Sequence, residues 1–449
     1  MKINVPDELK DISAYFPSDV YIVGGFVRDS LLGYVSHDID LTGDYTPDQV
    51  KSFFKNSPYS VHDGSKKFYT LVIKGRLYSY EFTSFRLDSY RKGHSPEEST
   101  LTHDIGEDAS RRDFTINAIY YNLKTGNLVD PFNGLCDLNS KIIKTTRKAH
   151  LVFSEDGLRL MRLCRFASSL GFKIEESTFK EAKNHASLIK DISPERIKEE
   201  LDKILLGDTT YGIQAAHSIG LDLLTKIGVN DYILPDLVKG IGMEQRPDYH
   251  KYDVYTHILK AVEYSDPEVR LAALFHDIAK PYCKLTTGKY RGHDIEGYRM
   301  TIEIMTGLRY PTELIYKTAT LVKHHMFNLD GNAKINTIRH FVQENSKIIP
   351  ELVKLKYADS YGTGLVPIGS KIPTADILLD VLNDLNNEGV PFSISDLLVD
   401  GNDLINIPSI PATKRSEVLF SLLKACSTVD SPLAHSREKQ LNFLNSYRF

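Results

Sequence analysis

Asp38 and Asp40 lie two positions apart in an apolar run, so on a strand both carboxylates point to one side and can share divalent cations. Ahead of them the β-branched and aromatic run Tyr21-Ile22-Val23 ends in Gly24-Gly25, where the backbone can approach a ligand closely. Residues 26–32 read as a helix whose amino end faces that turn, the arrangement that cradles phosphate. Either feature alone is commonplace, since a solitary Asp-x-Asp is usually a solvated strand end. Their order, together with a third acid, Glu81, in Tyr80-Glu81-Phe82, points to three carboxylates around two metals. Nucleotidyl transfer uses such a set: one ion lowers the pKa of an attacking 3′-hydroxyl and the other holds the triphosphate and the departing pyrophosphate. Arg28 would offer a fixed positive fork to the triphosphate, with Asp29 holding either the turn or that arginine.

With these residues in order, the chain resembles the head domain of class II tRNA nucleotidyltransferases (CCA-adding enzymes) and bacterial poly(A) polymerases, in the polymerase β superfamily. Arg111-Arg112-Asp113-Phe114-Thr115-Ile116-Asn117-Ala118 is similar to that family's ribose-recognition segment, and the resemblance assigns the function to Arg112, Asp113 and Asn117. Glu155-Asp156-Gly157-Leu158-Arg159 matches the family's amino-acid template, with Gly157 where the family usually has alanine or proline. The spacing predicts one helix from Glu155 through Arg162 and Arg165 towards Leu170, capped by Ser154. Asp156 would accept from the exocyclic amine of C or A, while Arg159 donates to the ring nitrogen; U and G present the opposite polarity. At helical spacing alone the same residues would make an ordinary surface ion pair. Glu195 and Arg196, in the family's fifth motif, are expected to support this helix, and Arg147 and Lys148 are candidate RNA-backbone contacts. Residues 86–108, with Arg91, Lys92, Gly93, Ser95 and Pro96, fit the mobile loop that these enzymes use between nucleotide specificities.

A second constellation follows in the other half: His257, His276-Asp277, His293, His324-His325 and Asp359. An apolar helix over residues 271–275 would carry the His-Asp pair, with Lys280-Pro281 closing it and Gly292-His293-Asp294 opening the next helix. This order resembles the HD phosphohydrolase superfamily. The resemblance implies a site on His257, His276, Asp277 and Asp359, with His293 and His324 as further members. A divalent transition metal or Mg²⁺ there would activate water against a phosphate ester, such as an RNA 2′,3′-cyclic or terminal phosphate. The alternative is an HD body that only binds RNA.

The implied fold class is α+β: a polymerase β-like mixed-sheet nucleotidyltransferase head (1–145), then an all-helical neck (146–235), HD domain (236–365) and tail (366–449). Strands are expected over residues 68–73 and 77–82. The 449 residues, 41% of them apolar, suffice for several cores. Four cysteines without metal spacing suggest a reducing cytoplasm, and the absence of a signal pattern or long apolar run predicts a soluble protein with no membrane association. A net charge of −4 argues against indiscriminate nucleic-acid coating. The favoured expectation is a template-independent tRNA nucleotidyltransferase that adds CCA from CTP and ATP with Mg²⁺. A poly(A) polymerase or A-adding enzyme shares the head motifs. From another class, the HD half could be the working phosphohydrolase and the head only an RNA-binding part.

Overall fold

The computed structural model describes residues 3–36, 38–76, 78–90, 97–405, 407 and 410–448; Leu77 and the loop residues Arg91, Lys92, Gly93, Ser95 and Pro96 lie outside them. The chain divides into two compact units, residues 1–238 and 239–449.

In the first unit the strands are β1 (Tyr21–Val23), β2 (Asp40–Gly43), β3 (Ser60–Asp63), β4 (Thr70–Lys74), β5 (Ser79–Ser84), β6 (Arg86–Ser89), β7 (Glu98–Leu101), β8 (Tyr120–Asn122) and β9 (Leu128–Val129). Seven of them form one mixed sheet in the order β3-β4-β5-β2-β1-β8-β9, and β6 and β7 make a separate hairpin. Within the sheet β2 and β5 run parallel, while β1 runs antiparallel to β2 and β8. Val23, Phe85, Ala109, Ala118 and Tyr120 form a buried cluster, and Phe16 packs on Tyr45, Phe54 and Phe82 with ring centroids 5.4, 5.5 and 5.7 Å away. This apolar burial anchors the short strands, which could not stand alone. Strand β2 begins at Asp40, so Asp38 precedes the strand instead of sharing it, and β4 and β5 start two residues later than the sequence pattern predicts.

Residues 146–235 are helical except for β11 (Lys173–Ile174), which pairs in parallel with β10 (Ile142–Ile143) at the end of the head and which the all-helical expectation lacked. The expected single template helix is broken. Helix Ala149–Glu155 ends at Glu155, Asp156 is extended (φ −150°, ψ 109°), and helix Leu158–Leu170 starts after Gly157. A Cβ on Gly157 would stand 2.6 Å from the Leu188 carbonyl oxygen, so this position admits only glycine without a backbone shift. Ser154 does not cap; its Oγ donates to the Leu151 carbonyl within its own helix.

In the second unit, Asp253 caps helix Val254–Glu263 by accepting from the Thr256 amide at 2.7 Å. Helix Arg270–Phe275 precedes His276-Asp277, and Lys280-Pro281 opens helix Lys280–Thr287 instead of closing the one before, because proline suits the first turn. Helices His293–Gly307, Thr312–His324 and Ile349–Gly362 complete the frame around the histidines. Two glycines set the close approaches. A Cβ on Gly362 would lie 2.8 Å from the Ala261 amide nitrogen, and one on Gly297 would lie 3.0 Å from a Val322 methyl. Among the described residues no helix is long and apolar enough to cross a membrane.

Gly362→Ala should therefore cost about 1–3 kcal/mol of stability through overpacking. Gly307→Ala, where the new methyl meets nothing, should add about 0.5–1 kcal/mol through helix propensity. Urea unfolding of both variants checks the contrast; equal midpoints would contradict the tight helix crossing.

Candidate active site and candidate metal centre

Strand register brings the head acids together. Val23 pairs with Asp40 across β1 and β2, and Asp40 pairs with Glu81 across β2 and β5, so the residue before the glycine turn and both acids lie in one row. Gly24 adopts φ +84°, a conformation that favours glycine, and a Cβ there would sit 3.7 Å from an Asp40 carboxylate oxygen. Asp38 and Asp40 line a cavity of about 550 Å³ with Gly24, Gly25 and Arg112, while Glu81 borders a neighbouring cavity of about 370 Å³ that also reaches Asp40 and Arg112. Burial, then the charges of Asp38 and Glu81, pushes the Asp40 carboxyl up to about 6, against the opposing pull of Arg112. Mutually repelling carboxylates beside a phosphate-sized turn fit a site for divalent cations, which would relieve that repulsion. The three acids are not among the described sets that already bring three ligand atoms within 4.8 Å.

Basic side chains outnumber acidic ones around the larger cavity, which suits a triphosphate, yet most of them are already paired. Arg28 is buried and donates to Asp29 at 2.8 Å, Asn117 at 2.7 Å and the Tyr211 hydroxyl at 2.8 Å. Tyr211 also donates to Asp29 at 3.0 Å. Asp29 thus holds the arginine, and Arg28 ties the head to the neck across a long sequence separation that no local signal revealed. Arg112 bonds the Tyr120 hydroxyl at 3.1 Å and Asp108 at 3.4 Å. Asp113 accepts from the Phe114 amide, Asn117 and Arg162 at 2.8, 3.1 and 2.7 Å. Burial opposes its ionisation, but the Arg162 charge and these donors outweigh burial and hold the carboxyl down at about 2.

The template residues meet, by another route than the expected helix face. Arg159 is buried, and its terminal nitrogens donate to the Val152 carbonyl at 3.0 Å, Glu155 at 2.8 Å, the Tyr90 hydroxyl at 3.2 Å and the Arg111 carbonyl at 2.7 Å. Glu155 also receives Arg147 at 2.6 Å, which places Arg147 in this network, not on a free RNA-binding surface. Asp156 accepts from the Leu158 amide at 3.0 Å and from Arg196 at 2.6 Å, so Arg196 holds the Asp156 carboxylate in place. Asp156, Arg159, Arg162 and Arg196 all face the same cavity as Gly24, Gly25 and Asp40.

In the second unit the histidines converge with two carboxylates. The Nε2 atoms of His257 and His276 are 3.0 Å apart; Asp277 Oδ2 lies 3.1 and 3.3 Å from them, and Asp359 Oδ1 lies 3.2 and 3.6 Å. All four residues are buried. His276 donates through Nδ1 to the Ala273 carbonyl, which fixes the ring with its Nε2 towards Asp277 and Asp359. The buried ligand atoms of His257, His276 and Asp359 lie within 4.8 Å of one another, and imidazole and carboxylate groups gathered so closely fit a metal ion. Burial opposes the charging of His276, but Asp277 and Asp359 outweigh it and lift the ring to about 10. Lys280 reaches Asp277 at 2.6 Å and Gln245 at 2.7 Å.

The expected His324 is corrected: its ring packs on Phe341 at 5.2 Å, and His325 is the neighbour that points inward to join His293 and Asp277. His324 is the last residue of its helix, so consecutive side chains diverge by roughly 100° and only one can face the cluster. His250 went unnoticed in the sequence. Its ring lies edge-on 4.5 Å from His257, and burial, then Lys280, brings its pKa down to about 3.

Because the Asp40 carboxyl is raised when folded, its contribution is stabilising below about pH 3.8 and is lost as pH rises through about 6. In the presence of a chelator, Asp40→Asn should be more stable than the parent chain at pH 8 by about 1–3 kcal/mol. The advantage should shrink on acidification towards pH 4, as read by urea unfolding at both pH values. A constant difference would remove the like-charge account.

Residues 20–144 match the family model described as the poly A polymerase head domain, residues 171–240 the one described as a probable RNA and SrmB-binding site of polymerase A, and residues 248–364 the HD domain. The CCA-adding enzyme of Lactococcus lactis subsp. cremoris is 38% identical over 239 residues, 52% of this chain and 56% of that protein. The CCA-adding enzyme of Streptococcus mutans is 42% identical over 188 residues, 42% of this chain and 46% of that protein. The chain thus spans about half the length of the curated relatives it matches. Its fold is similar to that of the Bacillus stearothermophilus CCA-adding enzyme in complex with CTP (TM-score 0.65, 24% identity, 94% of this chain and 92% of the other). It is also similar to a tRNA nucleotidyltransferase complexed with a primer tRNA and an incoming ATP analog (TM-score 0.54, 22% identity, 85% and 100%). Residues 20–144 and 171–240 therefore belong to the poly(A) polymerase head and RNA-binding domain families, and residues 248–364 to the HD-domain family.

Proposed function

We propose that the chain is a template-independent tRNA nucleotidyltransferase that adds CCA to tRNA 3′ ends from CTP and ATP, working in the cytoplasm. The observation that carries this reading is the row Val23, Asp40, Glu81 beside the Gly24 turn, opening on an arginine-lined cavity that also contains the template residues. Asp38, Asp40 and Glu81 would hold Mg²⁺, which when bound supplies charge stabilisation to the acceptor hydroxyl and the triphosphate. Gly24 and Gly25 let the triphosphate approach the backbone. Arg112, Asp113 and Asn117 position the ribose, with Arg28 and Asp29 fixing Asn117 and Arg162 fixing Asp113. Asp156 and Arg159 select C or A by hydrogen bonding, supported by Glu155 and Arg196. The CCA-adding relatives support CTP and ATP, and the structural neighbour with a primer tRNA supports tRNA as the acceptor.

The HD unit is proposed to hydrolyse RNA 2′,3′-cyclic or terminal phosphates, using a divalent transition metal or Mg²⁺ on His257, His276, Asp277 and Asp359. Such a reaction regenerates the hydroxyl end that the head requires. The buried ligand atoms of His257, His276 and Asp359, within 4.8 Å of one another, favour a working site over a purely RNA-binding body.

Purified protein given tRNA lacking its terminus should incorporate labelled CTP alone, then ATP when both are present. ATP incorporation without CTP would favour poly(A) or A-only addition instead. Asp38→Ala should abolish nucleotide addition and leave phosphatase activity, and His276→Ala with Asp277→Ala should do the reverse; loss of both activities with either change would sink the two-site reading. Arg159→Ala should relax discrimination against UTP by about 1–3 kcal/mol, read as the ratio of kcat/KM for CTP and UTP. An unchanged ratio would remove the template assignment.

A further inference from the structure

We propose that the cavity of about 370 Å³ bordered by Glu81 seats the 3′-terminal nucleoside of the acceptor RNA, with Phe68 as the ring on which its base stacks. This rests on the nucleotidyl-transfer reading above. Among the described residues, this cavity and the arginine-lined one meet at Asp40, Arg111 and Arg112 and share no other lining residue. Transfer brings two reactants to one carboxylate set, a triphosphate and the hydroxyl that attacks it, so it needs two compartments that join at the acids. The Gly24 turn and the template residues assign the arginine-lined cavity to the incoming nucleotide, and the adjoining one is left for the acceptor.

The sheet supplies the floor. Val23, Asp40, Glu81 and Val72 pair in turn across β1, β2, β5 and β4, and all four line this cavity. Thr83 and Thr70, paired two positions along β5 and β4, line it as well, as the alternation of side chains along a strand requires. An RNA end lying on this row has its terminal hydroxyl beside Asp40 and Glu81, where the two cavities meet.

The turn between β3 and β4 supplies the ring. A Cβ on Gly64 would stand 2.9 Å from the Thr70 carbonyl oxygen, so the chain closes tightly here, and the Thr70 amide donates to the Ser65 carbonyl at 3.1 Å. Arg86 is buried, donates to the Phe68 carbonyl and to Asp88, and carries its guanidinium 5.0 Å from the Phe68 ring centroid. A half-buried ring held in this way offers a flat face to a base and loses little freedom when one arrives. Stacking suits an acceptor whose terminal base changes with each nucleotide added, because every base has a π face. A seat that read base edges would stall after one addition. Lys66 and Lys67, exposed on the same turn, give the RNA backbone a positive approach.

The full-length chain is irradiated with a tRNA acceptor-arm hairpin whose 3′-terminal nucleotide is 4-thiouridine, and the crosslinked peptides are mapped by mass spectrometry. The crosslink should fall within residues 64–72; one confined to other segments would overturn the seat. In CTP addition to tRNA lacking its terminus, Phe68→Ala should raise the KM for tRNA about tenfold and leave the KM for CTP within about twofold. Phe68→Tyr should keep the parent's KM for tRNA. Should Phe68→Ala lose its native circular dichroism, Phe68→Leu keeps the bulk without the π face and gives the same readout. An unchanged KM for tRNA, or equal rises for tRNA and CTP, would overturn the stacking role. A parent chain that adds no nucleotide to tRNA yet crosslinks within residues 64–72 would overturn the transferase reading and leave the RNA seat standing.

Discussion

Like-charged or electron-rich groups held face to face are what each unit is built around. In the head, the parallel pairing of β2 with β5 sets Asp40 opposite Glu81, and the cost appears in the raised Asp40 carboxyl. In the second unit, helices that meet at glycines set imidazole against imidazole around Asp277 and Asp359. Such contacts do not hold a fold together by themselves. The aromatic cluster around Phe16 and the buried helix faces hold them in place, so packing in the core keeps the repelling groups together.

In the first unit, the arginines show how a crowded basic cavity stays ordered. Arg28, Arg112, Arg159, Arg162 and Arg196 each have an acidic or carbonyl partner at hydrogen-bond distance. Fixed guanidinium groups lose little further freedom when a ligand arrives, which is the benefit of preorganisation. The same pairs join head and neck into one compact unit, since Arg28 and Asp29 contact Tyr211 while Asp113 contacts Arg162.

Much of this was legible in the sequence because the chemistry is carried by short motifs whose spacing survives folding. The glycine turn and Glu81 as a companion acid to Asp40 were readable from motif order, and the mixed sheet followed from the family resemblance, whereas the register that sets Asp40 opposite Glu81 was not. Other features depended on tertiary geometry. The break at Asp156 is followed by a glycine that the approach of Leu188, thirty-odd positions away in the chain, requires, and helical spacing alone could not foresee either. Choosing His325 over His324 required knowing where a helix ends and which way it is rotated. Pro281, read as a stop, is equally suited to a start, and only the surrounding packing decides between them. The Arg28–Tyr211 contact has no local signature at all.

The full occupancy of the Arg159 terminal nitrogens has a consequence for how this cavity would tell bases apart. A base that approaches the arginine competes with resident partners, chiefly the Tyr90 hydroxyl and the Glu155 carboxylate. Under the proposed selection of C and A, reading would be an exchange in which an incoming acceptor must match what it displaces. A base with the wrong edge would be outcompeted by the protein's own atoms, so rejection would need no steric barrier and would leave the resting network intact.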